Sequence, residues 1–363
     1  MSVFTLTLKL LTPLHIGDGI ELRQGFDFVV HNGYTYRLDE DAILAAKAPN
    51  LKKNSDGGYL PLGKQLSKAD YKNHALFRYI LCGAPSSSKE DARIRSFIKD
   101  VHDRPYIPGS SLKGAIRTAL AWNALNIKKV LLQRGSFGSK PTPGQPLERH
   151  IFGDDPKKDL LRALQISDLH AVQKPDKNLI LVNAQVFTRQ QGQAPIELEA
   201  LKGDTILGGS LKIDDTLFAP WAEAELHFSD RKRWLQDDLP SLLQAHSRAR
   251  IEPLAEWFSH LQQGNKVAEF YRTLSNAQLE PNQALLQLGW GTGWDGKTFW
   301  THLQKDPDLF EQLLRGFRMV RSAKGDTKRK PGDPFPRSRR SVVDKGQPSA
   351  PFGWVLLTME PAG

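Results

Sequence analysis

The chain has 363 residues, 39% hydrophobic and 25% charged, long enough for two domains or one large one with a real core. Its net charge of +10 and pI of about 9.5 favour polyanions: nucleic acid first, an anionic membrane or acidic partner next. Cys82 is the only cysteine, which excludes a disulfide framework and a multi-cysteine zinc site within one chain; the ten histidines are scattered with no HExxH or HxxxH pairing, and no metal or cofactor is expected.

Val3 to Leu11 alternates apolar residues with Thr and Lys and predicts a half-buried strand, closed by Thr12-Pro13 and the loop LHIGDG. This N-terminus lacks the basic start and apolar core of a signal peptide, and no later run reaches the ~18 apolar residues of a membrane span; the reading is a cytoplasmic protein with no membrane partner. Phe26 to Val30 and Tyr34 to Leu38 flank His31-Asn32-Gly33, a hairpin signal, and Asp39 is placed to cap a short helix through Ala46. Residues 49–100 are mixed and partly helical, with a Ser-rich break at Ala84 to Lys89, and read as an insertion.

Tyr106 to Leu120, YIPGSSLKGAIRTAL, is the most informative stretch. It predicts a strand end, a Pro-Gly turn, a cap at Ser110 or Ser111, and a helix with Leu112, Ala115, Ile116, Ala119 and Leu120 on one apolar face. Lys113 and Arg117, four apart, fall on one side. Free first-turn amides, the helix dipole and two cations would then suit a phosphate; an ordinary capped helix with solvated cations is the alternative.

Arg134 to Pro146 is a Gly-, Ser- and Pro-rich break. Leu164 to Val172, Leu179 to Thr188, Ile196 to Leu201 and Leu211 to Asp214 read as strands, the first two separated by Lys174-Pro175-Asp176-Lys177. The fold class predicted is α+β, and this first portion reads as one sheet covered by helices on one face. Trp221 to Leu279 is mostly helical, with Trp234, Leu242, Leu243, Leu254, Trp257, Phe258, Leu261 and Phe270 as core residues. Ala284 to Leu288 is a strand, 289–298 a glycine loop, Phe299 to Phe317 a helix and Gly353 to Met359 the last strand. The domains predicted are 1–215 and 216–363.

The glycine loop GWGTGWDGKT literally satisfies a Walker A pattern from Gly291 to Thr298. The context opposes it: only 65 residues follow, their one clear strand ends in Glu360 with no Walker B aspartate, and Trp294 sits inside the turn. Instead Gly289, Gly291, Gly293 and Gly296 would bring backbone close to a ligand, Trp290 and Trp294 would stack on bases or brace the loop, and Lys297 would add charge. A Gly-rich corner with buried tryptophans is the alternative.

Eleven Lys or Arg against three Asp lie between Arg315 and Lys345, a net of +8 out of the chain's +10. That excess centres on a loop at 324–347, densest at Arg337, Arg339 and Arg340, and suits RNA phosphates and bases. A solvated flexible loop is the alternative.

Four segments together resemble the RAMP superfamily of CRISPR-associated proteins: TPLHIGDG (Thr12 to Gly19), IPGSSLKGAIRTAL (Ile107 to Leu120), LGWGTGWDGKT (Leu288 to Thr298) and PFGWVLLTM (Pro351 to Met359). Within it, their order resembles the fifth subunit of the type III-A (Csm) effector. The resemblance implies two ferredoxin-like (RRM-like) modules with helical insertions, and a non-catalytic RNA-binding subunit that caps the backbone filament at the CRISPR RNA 3′ side and supports guide maturation. Its implied partners are CRISPR RNA, the neighbouring backbone RAMP subunit, the small helical subunit and host nucleases. The residues it implies for RNA are His15, Gly17, Gly109, Ser110, Ser111, Lys113, Arg117, Trp290, Gly291, Thr292, Gly293, Lys297, Arg337, Arg339 and Arg340. The competing activity is a metal-independent repeat endonuclease with His15 as general base. A third is target cleavage by Asp18, Asp27 or Asp39, of which Asp39 reads as a helix cap and Asp27 as a strand residue.

Overall fold

The computed structural model describes residues 1–87, 92–172, 178–188, 195–319 and 329–362. Its strands in chain order are β1 (Ser2–Leu10), β2 (Gly17–Arg23), β3 (Phe28–His31), β4 (Tyr34–Leu38), β5 (Phe77–Cys82), β6 (Arg93–Phe97), β7 (Tyr106–Ile107) and β8 (Leu164–Ile166). They continue as β9 (Leu169–Ala171), β10 (Leu179–Thr188), β11 (Ile196–Leu201), β12 (Ile206–Ile213), β13 (Gln283–Gln287), β14 (Ser338–Asp344), β15 (Gln347–Ala350) and β16 (Trp354–Pro361). The helices are α1 (Glu40–Lys47), α2 (Leu62–Gln65), α3 (Gly109–Ile127), α4 (Gln145–Phe152), α5 (Pro220–Leu226), α6 (Lys232–Gln236), α7 (Leu239–Ser259), α8 (Asn265–Ser275), α9 (Trp300–Leu303) and α10 (Pro307–Gly316).

Two sheets form among the described residues. The first runs β13-β16-β1-β12-β9-β7, with β8 also on β12, all antiparallel. The second runs β2-β6-β11-β10-β5-β4-β3, extended by β14 on β10 and β15 on β14. The alternation read in β1 holds: Leu6, Leu8 and Leu10 are fully buried, and Thr5, Thr7 and Lys9 point the other way. β1 is central because its two neighbours come from far along the chain, Leu6 facing Gly209 of β12 and Met359 of β16. Strands from beyond residue 216 thus enter both sheets, and the division at 215/216 runs through shared sheets.

The apolar face of α3 packs as expected, with Leu112, Ile116, Ala119 and Leu120 fully buried and Ala115 partly so. α7 and α8 close a second cluster around Trp257, Phe258, Tyr271 and Trp354, while Leu242 and Phe270 are only half-buried. Asp39 caps α1 by accepting from the Ala42 N–H at 3.0 Å.

Several expectations fail. Residues 49–100 are not merely an insertion, because β5 and β6 inside them are strands of the second sheet. The strand read from Leu164 breaks into β8 and β9 around Ser167-Asp168. The helix read over Phe299 to Phe317 is interrupted at Gln304–Asp306, and α10 restarts with Pro307 in its first turn and Asp306 accepting from the Leu309 N–H. The basic loop ends in a strand, since Ser338–Asp344 pairs with β10. Its first part, and the Lys174–Lys177 turn, lie outside the described residues.

Candidate nucleic-acid interface

An open cleft of about 480 Å³ lies where the loop after β1, the start of α3 and the glycine loop meet. Gly17, Ser110, Ser111, Trp290, Thr292 and Lys297 line it together, although they come from three distant parts of the chain. Ser110, Gly114 and Thr118 present one side of α3 to it. Lys297 is exposed, and among the described residues its ammonium has no hydrogen-bond or ion-pair partner. Beside the cleft the exposed Arg340 lies over the Trp290 ring at 4.8 Å. Partial burial and the neighbouring Arg95 guanidinium both push its pKa below the ordinary value. Among the described residues the Arg95 side chain has only a loose ion-pair partner, Glu21 at 3.7 Å, so it and Arg340 are two like charges acting on each other. A phosphate between them would relieve that repulsion.

The two loops at the cleft floor are tied backbone to backbone. The Trp290 N–H donates to the His15 carbonyl at 2.8 Å. Gly289 has a φ of 71°, and a Cβ there would lie 2.4 Å from that carbonyl. His15 itself is 2% exposed. Its Nδ1 is 2.6 Å from the Glu199 carbonyl, and its ring meets Phe97 and Trp290 edge-on. Burial lowers its pKa, which favours the neutral ring with its proton on Nδ1. His15 therefore braces the loop beneath the exposed Gly17 and is not presented to a scissile phosphate. Asp18 is exposed, but it accepts from the Ile20 N–H and the Ser96 hydroxyl. Asp27 accepts from the Arg23 N–H and Asp39 caps α1, so all three acids have local structural bonds.

The glycines of the loop serve the protein's own atoms more than a ligand. A Cβ on Gly291 would meet Phe352 at 2.7 Å, one on Gly293 would meet Asp295 at 2.6 Å, and one on Gly296 would meet Arg250 at 2.7 Å. The loop thus wraps a buried Arg250–Asp295–Arg339 cluster that sequence reasoning did not see. Arg250 donates to Gln287 Oε1 at 2.6 Å, and Arg339 Nη2 stands 3.6 Å from Asp295 Oδ2. Burial lowers the pKa of Arg250 while Asp295 opposes that shift. Thr292 is buried, and its hydroxyl turns back to the Gly289 carbonyl. A second missed network sits under His15. Glu199, fully buried, accepts from Lys99 at 2.5 Å, from the Tyr79 hydroxyl at 2.8 Å and from the Phe97 N–H at 2.9 Å. Its members are more than 100 residues apart in part, and no local motif marks them.

Other expected residues do not join the cleft. Neither Ser110 nor Ser111 caps α3; Pro108 is the N-cap, and both serines lie inside the first turn. The Gly109 N–H is taken by Asp168 Oδ1 at 2.8 Å, and a Cβ on Gly109 would strike the Ile166 carbonyl at 2.3 Å. Lys113 donates to the Leu164 carbonyl at 2.8 Å. Arg117 pairs with Glu148 at 2.9 Å and Asp159 at 2.8 Å, stacked over Phe152. These two cations fasten α3 to α4 and β8, and the expected union of dipole, amides and both cations on one phosphate is not formed. Arg339 is 7% exposed and points inward, while Arg337 is half-buried beside the cis Phe335-Pro336 bond.

Among the described residues, no group of His, Cys, Asp and Glu could hold a metal ion, and no helix is long and apolar enough to cross a membrane. The chain is 26% identical over 384 aligned positions to Csm5 of Methanocaldococcus jannaschii, spanning 97% of this chain and 88% of that one. It is 29% identical over 221 positions to Csm5 of Streptococcus thermophilus, spanning 53% of this chain and 57% of that one. Its fold matches a chain in the cryo-EM structure of a type III-A Csm–crRNA–target RNA ternary complex at a TM-score of 0.72 and 22% identity, covering 98% of this chain and all of that one. It also matches the crystal structure of T. onnurineus Csm5 at a TM-score of 0.60 and 21% identity, over 96% and 99% of the two chains. The family model of the RAMP superfamily matches residues 7–294, a span that holds β1, the α3 motif and the cleft's glycine loop as far as Trp294, and the chain belongs to that superfamily.

Proposed function

We propose that this chain is a non-catalytic, RNA-binding subunit of a type III-A CRISPR ribonucleoprotein in the cytoplasm. The observation that carries the reading is the cleft. It joins the α3 start and the glycine loop, some 180 residues apart, and offers Lys297, unpaired among the described residues, with Arg340 and Trp290 beside it. Such a wall holds a ribose-phosphate backbone by charge and a base by stacking. Of the residues first considered, Gly17, Ser110, Ser111, Trp290, Thr292, Lys297 and Arg340 are retained as the RNA contact set. His15, Gly109, Gly291, Gly293 and Arg339 hold the cleft's shape.

The Csm5 relatives and the ternary-complex neighbour support a place in a Csm complex; the finer proposal is that this subunit caps the backbone filament at the guide's 3′ side, beside a backbone RAMP subunit and the small helical subunit. Trimming is left to nucleases supplied by the host. The strand order β16-β1-β12-β9, with α3 between β1 and β9 and α7 after β12, supports a ferredoxin-like reading of the first module. The second sheet follows a different order.

The test is affinity of the full chain for single-stranded RNA across a salt series. The expected log–log slope is about −0.7 per phosphate neutralised, and it becomes shallower by about that amount in Lys297→Ala. Affinity that does not respond to salt refutes the reading.

A further inference from the structure

A second cavity, of about 380 Å³, opens on the far side of Lys297. It falls within the ~300–1,000 Å³ range of small-ligand sites. Its walls are aromatic: Trp294, Phe299, Phe310 and Phe317, with Thr298 among them. Trp294 is only half-buried, tilted against Phe310 at 6.2 Å and edge-on to Phe335 at 5.0 Å, so part of its ring remains uncovered. Two further observations indicate what the cavity takes. The Thr298 hydroxyl is buried with no hydrogen-bond partner among the described residues, and it lines a cavity whose other polar side chains are the charged Lys140, Glu148 and Lys297. Such an atom costs free energy unless a ligand's polar edge meets it. In addition, Lys297 lines both this cavity and the RNA cleft, and Lys140 stands at the same rim.

We propose that this cavity receives one nucleobase flipped out of the RNA strand held in the cleft, stacked on Trp294 and hydrogen-bonded at its edge by Thr298, with Lys297 on the phosphate at the crossing point. The proposal rests on the RNA-binding reading above. An aromatic slot with an unpartnered hydroxyl suits a base, which has a π-face and a hydrogen-bonding edge. Lys297 is the shared wall, so a strand running through the cleft passes the cavity mouth without a detour.

The test uses the full chain and a single-stranded RNA of about 12 nucleotides, within the ~4–16 nucleotides such grooves span. Abasic sites are introduced one position at a time. The expected profile has one internal position where losing the base weakens binding roughly tenfold or more. That sensitivity disappears in Trp294→Ala, while the salt slope stays. A 5-iodouridine at that position cross-links to Trp294 itself, mapped to the residue by fragment sequencing. Thr298→Val keeps the wall's shape and alters the preference among the four bases there without changing affinity for the abasic strand; it decides the matter if Trp294→Ala does not fold. Salt-dependent binding with a flat abasic profile, or a cross-link that maps to Trp290 alone, overturns the pocket and leaves the RNA reading standing. Absence of salt-dependent binding by the unmodified chain overturns both.

Discussion

Arg339 and Arg340 are adjacent on β14, and successive side chains of a strand point to opposite faces. Their substitution therefore separates the protein's stability from its RNA binding. Arg339 faces inward, 3.6 Å from Asp295 and over the rings of Trp257 at 5.5 Å and Trp300 at 5.9 Å. Asp295 is 1% exposed, and neither of its oxygens has a hydrogen-bond partner among the described residues. Removing one partner of a buried pair costs ~3–5 kcal/mol, because the other charge stays buried. Arg250 remains near Asp295, which puts Arg339→Ala at the lower end, about 3 kcal/mol. At this chain length the thermal midpoint should fall by roughly 4 °C. Arg340 is exposed over Trp290, so Arg340→Ala forfeits at most about 1 kcal/mol. Its midpoint should stay close to that of the unmodified chain while its RNA salt slope becomes shallower by about 0.7. Melting curves and a salt titration on the two variants decide the matter. Equal loss of stability in both would refute the opposite-face assignment, and an unchanged slope in Arg340→Ala would refute its phosphate contact.

Gly291→Ala should destabilise by about 2–4 kcal/mol in a melt, from a left-handed residue at φ 94° and a Cβ forced to 2.7 Å from Phe352. A midpoint equal to that of the unmodified chain would show that the loop relaxes freely. Glu199→Ala strands Lys99, Tyr79 and the Phe97 N–H around an empty centre and should cost ~3–5 kcal/mol; Glu199→Gln, which retains acceptors, should cost visibly less in the same melt. His246 is buried against Trp122 and its pKa is lowered to about 3 by burial first and the Arg250 charge second. Its folded pKa lies below the unfolded value of about 6.5, so the unfolded chain takes up the extra proton as pH falls through that window. Stability should therefore drop by up to ~1.4 kcal/mol per pH unit between about pH 6 and 4, and His246→Phe should flatten that slope by one proton's share, read from denaturant midpoints against pH.

The sequence made legible whatever rests on short-range period or local turn chemistry. β1, the Tyr34–Leu38 hairpin arm, the Asp39 cap, the apolar face of α3 and the final strand were all readable on those terms. Pairings across long separations were not. Nothing in SVFTLTLKL tells that its neighbours will be Ile206–Ile213 and Trp354–Pro361. β5 and β6 were hidden because FRYILC and RIRSF are short and neither is framed by a hairpin signal. β14 was hidden because SRRSVVD reads as basic loop; only the tertiary partners Asp295, Trp257 and Trp300 make Arg339 a core residue. The same blindness affected the site. Cleft residues were found where glycine and lysine cluster locally, while Lys113 and Arg117 were assigned to phosphate because their carboxylate and carbonyl partners lie about 30 to 50 residues downstream.

The buried polar groups beneath the cleft have a common cause. The loop after β1 and the glycine loop are irregular, so most of their backbone lacks the ladder that satisfies a strand's polar groups. Two such loops can be held at a fixed spacing only by specific bonds between them, and specificity in a dry interior requires polar atoms with partners. The Trp290–His15 bond supplies the direct link. Glu199 anchors the loop after β1 from one side, through its carbonyl to His15 and its carboxylate to Phe97 and Lys99. Arg250 anchors the glycine loop from the other, bonded to Gln287 Oε1 at 2.6 Å and reaching the Thr292 carbonyl at 3.5 Å, where Gly296 leaves just enough room for the guanidinium. The anchors come from β6, β11, α7 and β13, elements that belong to different sheets or pack across them. A cleft built this way is shaped before any ligand arrives, so a strand entering it need not spend binding free energy on ordering the loops. Lys297 and Arg340, which take no part in the anchoring, remain available to the ligand.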